Sequence, residues 1–197
     1  MNCARKFVSV FIAGLVCLAV LSACAAPSAP AGGAVNPLFS YWPSHVGASV
    51  QFDRTTRISG GVPGQADQVV KSLVTYKMIR LTPAGLTLAV SADSTVGDLI
   101  IPATLDPASP GFPKFVKTEA VDLDGKTYSC KVYGYQTTSS AEVGLDTQGL
   151  PADVTVWVSP AVPGGVVRRQ ISLTIKASYD IEDTLVSAPA PAGAGNP

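Results

Sequence analysis

Residues Val167 to Ile181 read Val-Arg-Arg-Gln-Ile-Ser-Leu-Thr-Ile-Lys-Ala-Ser-Tyr-Asp-Ile. The odd positions from Val167 run Val, Arg, Ile, Leu, Ile, Ala, Tyr and Ile, and the even positions run Arg, Gln, Ser, Thr, Lys, Ser and Asp. Arg169 apart, this is a period of two. It places one face on a core and the other in water, the signature of a half-buried strand. Fifteen residues exceed an ordinary strand, so the stretch reads as one curved strand or as two strands with a bulge near Ala177-Ser178.

The same period recurs on the N-terminal side. Val46 to Ile58 is a candidate strand. Gln68 to Leu81, a Thr82-Pro83-Ala84-Gly85 turn and Leu86 to Val90 form a candidate hairpin, with Leu86, Leu88 and Val90 on one face. Phe115 to Leu123 and Lys126 to Thr138 flank Asp124-Gly125, a type I′ turn signal. Asp153 to Val158, the Ser159 to Gly165 turn and Val166 onward make a third hairpin. Short helices fit only around Pro37–Tyr41 and Val96–Ile101. Tight turns join antiparallel neighbours, so the expected fold is all-β. It is an antiparallel sheet of six to eight strands, half-barrel or barrel-like, with a β-sandwich as the alternative.

The first residues follow another logic. Arg5 and Lys6 precede Phe7 to Leu21, an uncharged stretch of 15 residues, and Leu21-Ser22-Ala23-Cys24 follows at once. A basic start, a short apolar core and small residues at the end are the layout of a secretory signal. The stretch falls short of the roughly 20 apolar residues of a membrane helix. Leu-Ser-Ala-Cys resembles the lipobox of bacterial lipoproteins. That resemblance implies cleavage between Ala23 and Cys24 and lipidation of Cys24, with palmitate among the acyl chains. It implies a bilayer partner held through those chains, stably because two or more are attached. Ala25 in place of Asp implies, by the same resemblance, the periplasmic side of the outer membrane where the organism has one.

Residues 1–23 are therefore read as signal, and 24–37 as the lipidated cysteine with a Pro/Gly/Ala/Ser linker. Residues 38–187 are read as one β domain and 188–197 as a tail of similar composition. The mature chain is 197 less 23 residues, or 174, and keeps 12 basic residues against 14 acidic ones, net −2. A slightly acidic chain with 14% charged residues overall lacks the basic footprint of a nucleic-acid binder. With Cys3 and Cys17 gone and Cys24 lipidated, Cys130 stands alone, so no internal disulfide forms.

Catalytic residue types are scarce. His45, the sole histidine, is the base an envelope hydrolase would need, but no Gly-x-Ser-x-Gly elbow accompanies it, and it reads as a strand-flanking residue after Pro43. Cys130 shares a face with Tyr128 and Val132, and reads as a buried small hydrophobe. Tyr133 and Tyr135 take the other face of that strand. Asp122-Leu123-Asp124-Gly125 opens like a calcium loop, but Lys126 and Tyr133 stand where ligands belong. Asp180, Glu182 and Asp183 read as a solvated strand end. No metal, cofactor or catalytic set is assigned.

Trp157-Val158-Ser159-Pro160, followed by Val162-Pro163-Gly164-Gly165-Val166-Val167-Arg168, resembles stretches of exported bacterial β-proteins, some of them similar to the half-barrel of the Lol lipoprotein carriers. That resemblance implies a curved sheet cupping acyl chains. Trp157, Tyr133 and Tyr135 are the candidate binding residues. The expected function is a membrane-anchored, extracytoplasmic, non-catalytic lipoprotein that binds an apolar ligand or an envelope partner protein. A hydrolase using His45 and a purely structural or assembly lipoprotein are the alternatives.

Substituting Cys24→Ala is expected to leave the precursor uncut and without acyl chains. Intact-mass measurement and palmitate labelling check this, and normal maturation of the variant would rule out the lipobox.

Overall fold

A computed structural model describes residues 33–42, 46–60, 66–92 and 95–187. The signal, Cys24, most of the linker, His45 and the tail 188–197 lie outside them. The strands are β1 (Ala34–Val35), β2 (Ser49–Ser59), β3 (Gln68–Thr82), β4 (Gly85–Ala92), β5 (Thr95–Pro102), β6 (Thr104–Leu105), β7 (Lys114–Leu123), β8 (Lys126–Thr137), β9 (Ala152–Val158), β10 (Val166–Thr174) and β11 (Ser178–Ser187). Among the described residues the one α-helix is α1 (Ser140–Val143), and a 3-10 turn covers Phe39–Tyr41.

Nine strands form one sheet in the order β5-β4-β3-β2-β11-β10-β9-β8-β7, and β1 pairs with β6 in a small second sheet. All pairings are antiparallel. The sheet does not close, since β5 and β7 are its two edges. The all-β expectation holds, with one more strand than the upper count. Two differences account for the added pairing. The long alternating stretch is two strands, but what separates them is a reversal at Ile175-Lys176-Ala177 and not a bulge, with Thr174 paired to Ser178. A three-residue loop keeps the odd positions on the same face on both sides of the reversal, so alternation alone does not reveal it. Val96–Ile101, a helix candidate, lies instead within β5 and pairs with β4 from Leu86 to Ser91.

Turn chemistry explains the meander. Asp124 and Gly125 both take positive φ, 50° and 76°, as the type I′ turn between β7 and β8 requires. Register then sets the faces. Val50, Phe52, Val74, Tyr76, Met78, Leu86, Leu88, Val90 and Leu99 are buried and carry the main apolar cluster across β2 to β5. Val154, Ile171, Leu173 and Ile181 carry a second across β9 to β11.

The sheet curls. From β5 to β8 there are seven strand-to-strand steps, about 34 Å in a flat sheet at roughly 4.8 Å per step. Yet residues of both strands line one cavity, and α1, which follows β8, reaches back to β5. A side chain placed on Gly97 would meet Ala141 Cβ at 3.3 Å. The strand twist that every sheet carries supplies the curvature, and β-bulges in β3, β7, β10 and β11 increase it locally.

Residues before 38 also take part in the fold. Asn36 is buried. Its amide donates to the Pro102 carbonyl at 3.0 Å, its Oδ1 accepts from Leu38 N at 3.0 Å, and its own N–H reaches Ala103 O at 2.9 Å. A side chain that satisfies a turn in this way anchors a segment that linker composition alone would leave free. Further along, Tyr41 O accepts from Gly164 N at 3.1 Å. Residues 36–42 therefore run as a strap from the end of β5 to the turn between β9 and β10. The unit Gly32–Pro197 holds both sheets and every apolar cluster, so it carries its own core.

Cys130 is fully buried, and burial, with the Glu119 charge adding to it, pushes its thiol above the usual range. A thiol reagent is expected to leave Cys130 unmodified in the native protein and to react with it fully in denaturant. Rapid native labelling, read by mass spectrometry, would contradict the packing of β8.

Candidate functional site

The centre of the inner face is charged. Arg169, Asp183 and Arg54 lie directly opposite one another across β10, β11 and β2. All three are buried, at 6%, 1% and 5% exposure. Arg54 grips Asp183 with both prongs, Nε to Oδ1 at 2.7 Å and Nη2 to Oδ2 at 2.9 Å. Arg169 donates to Oδ2 from Nε at 3.0 Å and also from Nη2. Such charge-assisted, forked pairs are the geometry in which buried ions hold. Burial alone would raise the Asp183 pKa, but Arg169 and Arg54 outweigh it and hold the carboxyl below its ordinary range. Asp183 is thus not part of a solvated strand end, as the sequence suggested. It lies on the inner face, while Asp180 is exposed and Glu182 meets Arg168 at 2.7 Å on the outer one.

Four further groups complete the cluster. The Tyr76 hydroxyl accepts from Arg54 Nη2 at 3.3 Å and from Arg169 Nη2. The Tyr135 hydroxyl donates to Glu142 Oε1. Arg54 also reaches the carbonyl of Val143 at 3.0 Å and that of Glu142 at 3.4 Å. These carbonyls belong to α1, a single turn opened by Ser139, whose Oγ accepts from Glu142 N at 3.3 Å. Gly144 closes the turn at φ 79°, the left-handed residue that ends many helices. A side chain there would also overlap Arg54 Nη1, so glycine both stops the helix and admits the guanidinium. Burial raises the pKa of both tyrosines, and the Glu142 charge pushes Tyr135 further.

A cavity of about 500 Å³ adjoins this cluster. The strap contributes Leu38 and Trp42 to its lining, and β5 contributes Leu99 and Ile101. Tyr76, Tyr135, Glu142 and Arg169 form the polar wall next to the cluster, and Asn36, Asp98 and Gln136 are among the polar residues elsewhere in the lining. The volume falls within the roughly 300–1,000 Å³ of small-molecule sites. No three of His, Cys, Asp or Glu approach one another as metal ligands among the described residues.

The three candidate binding residues separate. Tyr135 lines the cavity. Tyr133 lies on the same face of β8 but packs edge-on against Phe115, ring centres 6.0 Å apart. Trp157 points to the opposite face, where its indole donates to Glu119 at 2.8 Å and Arg168 covers its ring. Sequence reasoning passed over the floor itself. Arg169 was visible as the break in an otherwise apolar face. Ser139-Ser140-Ala141-Glu142 carries a capping-box signature that announces α1.

No family model and no curated protein matches the chain. Among solved structures, the chain is similar to the Mycobacterium tuberculosis lipoprotein LppX, at 15% identity and TM-score 0.31 over 72% of this chain and 87% of that one. A Vibrio parahaemolyticus domain described as an outer membrane lipoprotein-sorting protein domain is similar at 9% identity and TM-score 0.29, over 79% and 90%. A LolA superfamily protein from Nitrosomonas europaea is similar at 12% identity and TM-score 0.22, over 79% and 96%. These likenesses are weak and say nothing of what this chain binds.

Asp183→Asn leaves two guanidiniums without their carboxylate, and breaking a buried pair in this way costs about 3–5 kcal/mol. In the wild type the folded pKa of Asp183 lies below its unfolded one. Its contribution is therefore present above roughly pH 4, the unfolded value, and is lost as pH falls through the folded pKa. Urea unfolding from pH 6 to pH 2 is expected to show this decline in the wild type and a flatter profile in the variant. Equal stability of the two proteins at pH 6 would refute the role given to the pair.

Proposed function

We propose that the domain binds an apolar ligand in the cavity beneath the strap and α1, and that it does so as an extracytoplasmic lipoprotein tethered through Cys24. The observation that carries the reading is the cavity itself, about 500 Å³ with walls supplied by Leu38, Leu99, Ile101 and Val166. Solvated apolar surface of this kind is costly to maintain, and an apolar guest removes it from water. The lipobox and the chain between Cys24 and β1 support the tether. Residues 25–33 at full extension reach roughly 30 Å, which lets the cavity reach a bilayer surface without burying the domain in it. The residues around the cavity bind and orient, and the reading assigns them no bond-breaking step.

Mass spectrometry of organic extracts from the purified polypeptide starting at Ala25 tests this. It is expected to find a co-purifying lipid at near-stoichiometric amount. Val166, half-buried and on the cavity wall, offers the control: Val166→Trp fills the space and is expected to lower the bound lipid at least tenfold at a similar unfolding midpoint. Ligand-free wild type that also fails to take up a hydrophobic dye would overturn the reading.

A further inference from the structure

The charged cluster leaves a surplus of donors. Arg169 spends Nε and Nη2 on Asp183 and Tyr76. Its Nη1 faces Glu142 Oε1 at 3.7 Å, beyond hydrogen-bond reach, and has no other acceptor among the described residues. The Tyr76 hydroxyl receives two guanidinium donors. Both its lone pairs are thereby engaged, and its proton has no acceptor among the described residues. An arginine can only donate, so this proton cannot be directed back into the pair. Arg169 and Tyr76 both line the cavity. Two Nη1 protons and one phenolic proton are therefore unspent at one wall. The cluster's unspent acceptors include Glu142 Oε2 and the Tyr135 hydroxyl oxygen, which donates to Glu142 and accepts from no described residue.

The charge count then limits what those donors take. Two guanidiniums, Arg54 and Arg169, face two carboxylates, Asp183 and Glu142, and the formal charges cancel. An anionic headgroup brought to this wall would be an uncompensated buried charge beside the Glu142 carboxylate, which is costly. An uncharged oxygen acceptor satisfies the donors and adds no charge.

We infer that the cavity selects apolar ligands bearing a neutral carbonyl, an ester of the kind found in acylglycerols or wax esters. The ester oxygen sits on Arg169 Nη1 and the Tyr76 hydroxyl, and the hydrocarbon lies along the Leu99, Ile101 and Val166 side. This rests on the apolar-ligand reading above and adds a polar anchor to it. Arg169 and Tyr76 become the specificity-determining residues, and a free fatty-acid anion becomes a poor ligand despite its equal chain.

Displacement of a hydrophobic fluorophore from the Ala25–Pro197 polypeptide at pH 8 tests this with three probes: dodecane, methyl dodecanoate and dodecanoate. The ester is expected to bind about tenfold more tightly than the hydrocarbon, the scale of one charge-assisted hydrogen bond, and more tightly than the carboxylate. Tyr76→Phe keeps the ring on Phe52, 5.7 Å away centre to centre, and removes only the hydroxyl. It is expected to shrink the ratio of ester to dodecane affinity at least threefold. Infrared spectra of carbonyl-labelled ester bound to the wild type need no variant, and are expected to show the C=O stretch shifted to lower wavenumber relative to the ester in hydrocarbon. Equal affinities for ester and dodecane with an unshifted carbonyl would overturn the anchor and leave the cavity reading standing. Tighter binding of dodecanoate than of the ester would overturn the charge argument. Failure of all three probes to displace the fluorophore would overturn both readings.

Discussion

Asp183 is the constraint on which the rest of the structure depends. A carboxylate at 1% exposure in the middle of a sheet is tolerable only because two guanidiniums, one from each neighbouring strand, spend four hydrogen bonds on it. Those bonds fix β2, β11 and β10 in register at the centre of the nine strands. Arg54 then extends the constraint off the sheet, because its remaining donors hold the last carbonyls of α1. The helix has a single turn and no long apolar face, so packing alone would not place it. It is placed by Val143, buried in the second apolar cluster, together with a charged side chain rising from the floor.

The cavity follows from that placement. A sheet that curls without closing leaves its inner face partly uncovered, and an uncovered apolar face has to find a partner. Here α1 covers one side and the 36–42 strap crosses another, pinned at Asn36 and at Tyr41. Neither is bulky enough to fill what it spans. The space that remains is aliphatic at Leu99, Ile101 and Val166 and polar where it meets the outer rim of the same cluster that fixes the strands. On the proposed reading, structural and recognition roles share the residues Arg169 and Tyr76.

The sheet was legible in the sequence because alternation and turn residues are local. Leu86, Leu88 and Val90 share a buried face as their spacing requires, and Asp124-Gly125 makes the turn its chemistry dictates. The reversal at residues 175–177 was not legible, since an odd-length loop preserves parity. The polar floor was half legible. Arg169 broke an apolar face and was noticed only as an exception. Asp183 reads as one of three acids at a strand end, and only its odd position, two beyond Ile181, marks it as the one that turns inward. Its burial depends on Arg54, which is 129 residues away, and such a pairing exists only once the strand order is known. Trp157 opens the stretch that resembles the exported β-proteins, yet the face it occupies is set by the register of β9 against β8 and β10.

Xenon pressurisation of crystals of the Ala25–Pro197 polypeptide measures the central claim directly, because xenon enters dry apolar cavities and avoids wet polar ones. The account predicts xenon density among Leu99, Ile101 and Val166, with Arg54, Asp183 and Arg169 joined as described and no xenon against the Tyr76 hydroxyl. A xenon-free interior, with the strap collapsed onto the sheet or the guanidiniums turned away from Asp183, would contradict it.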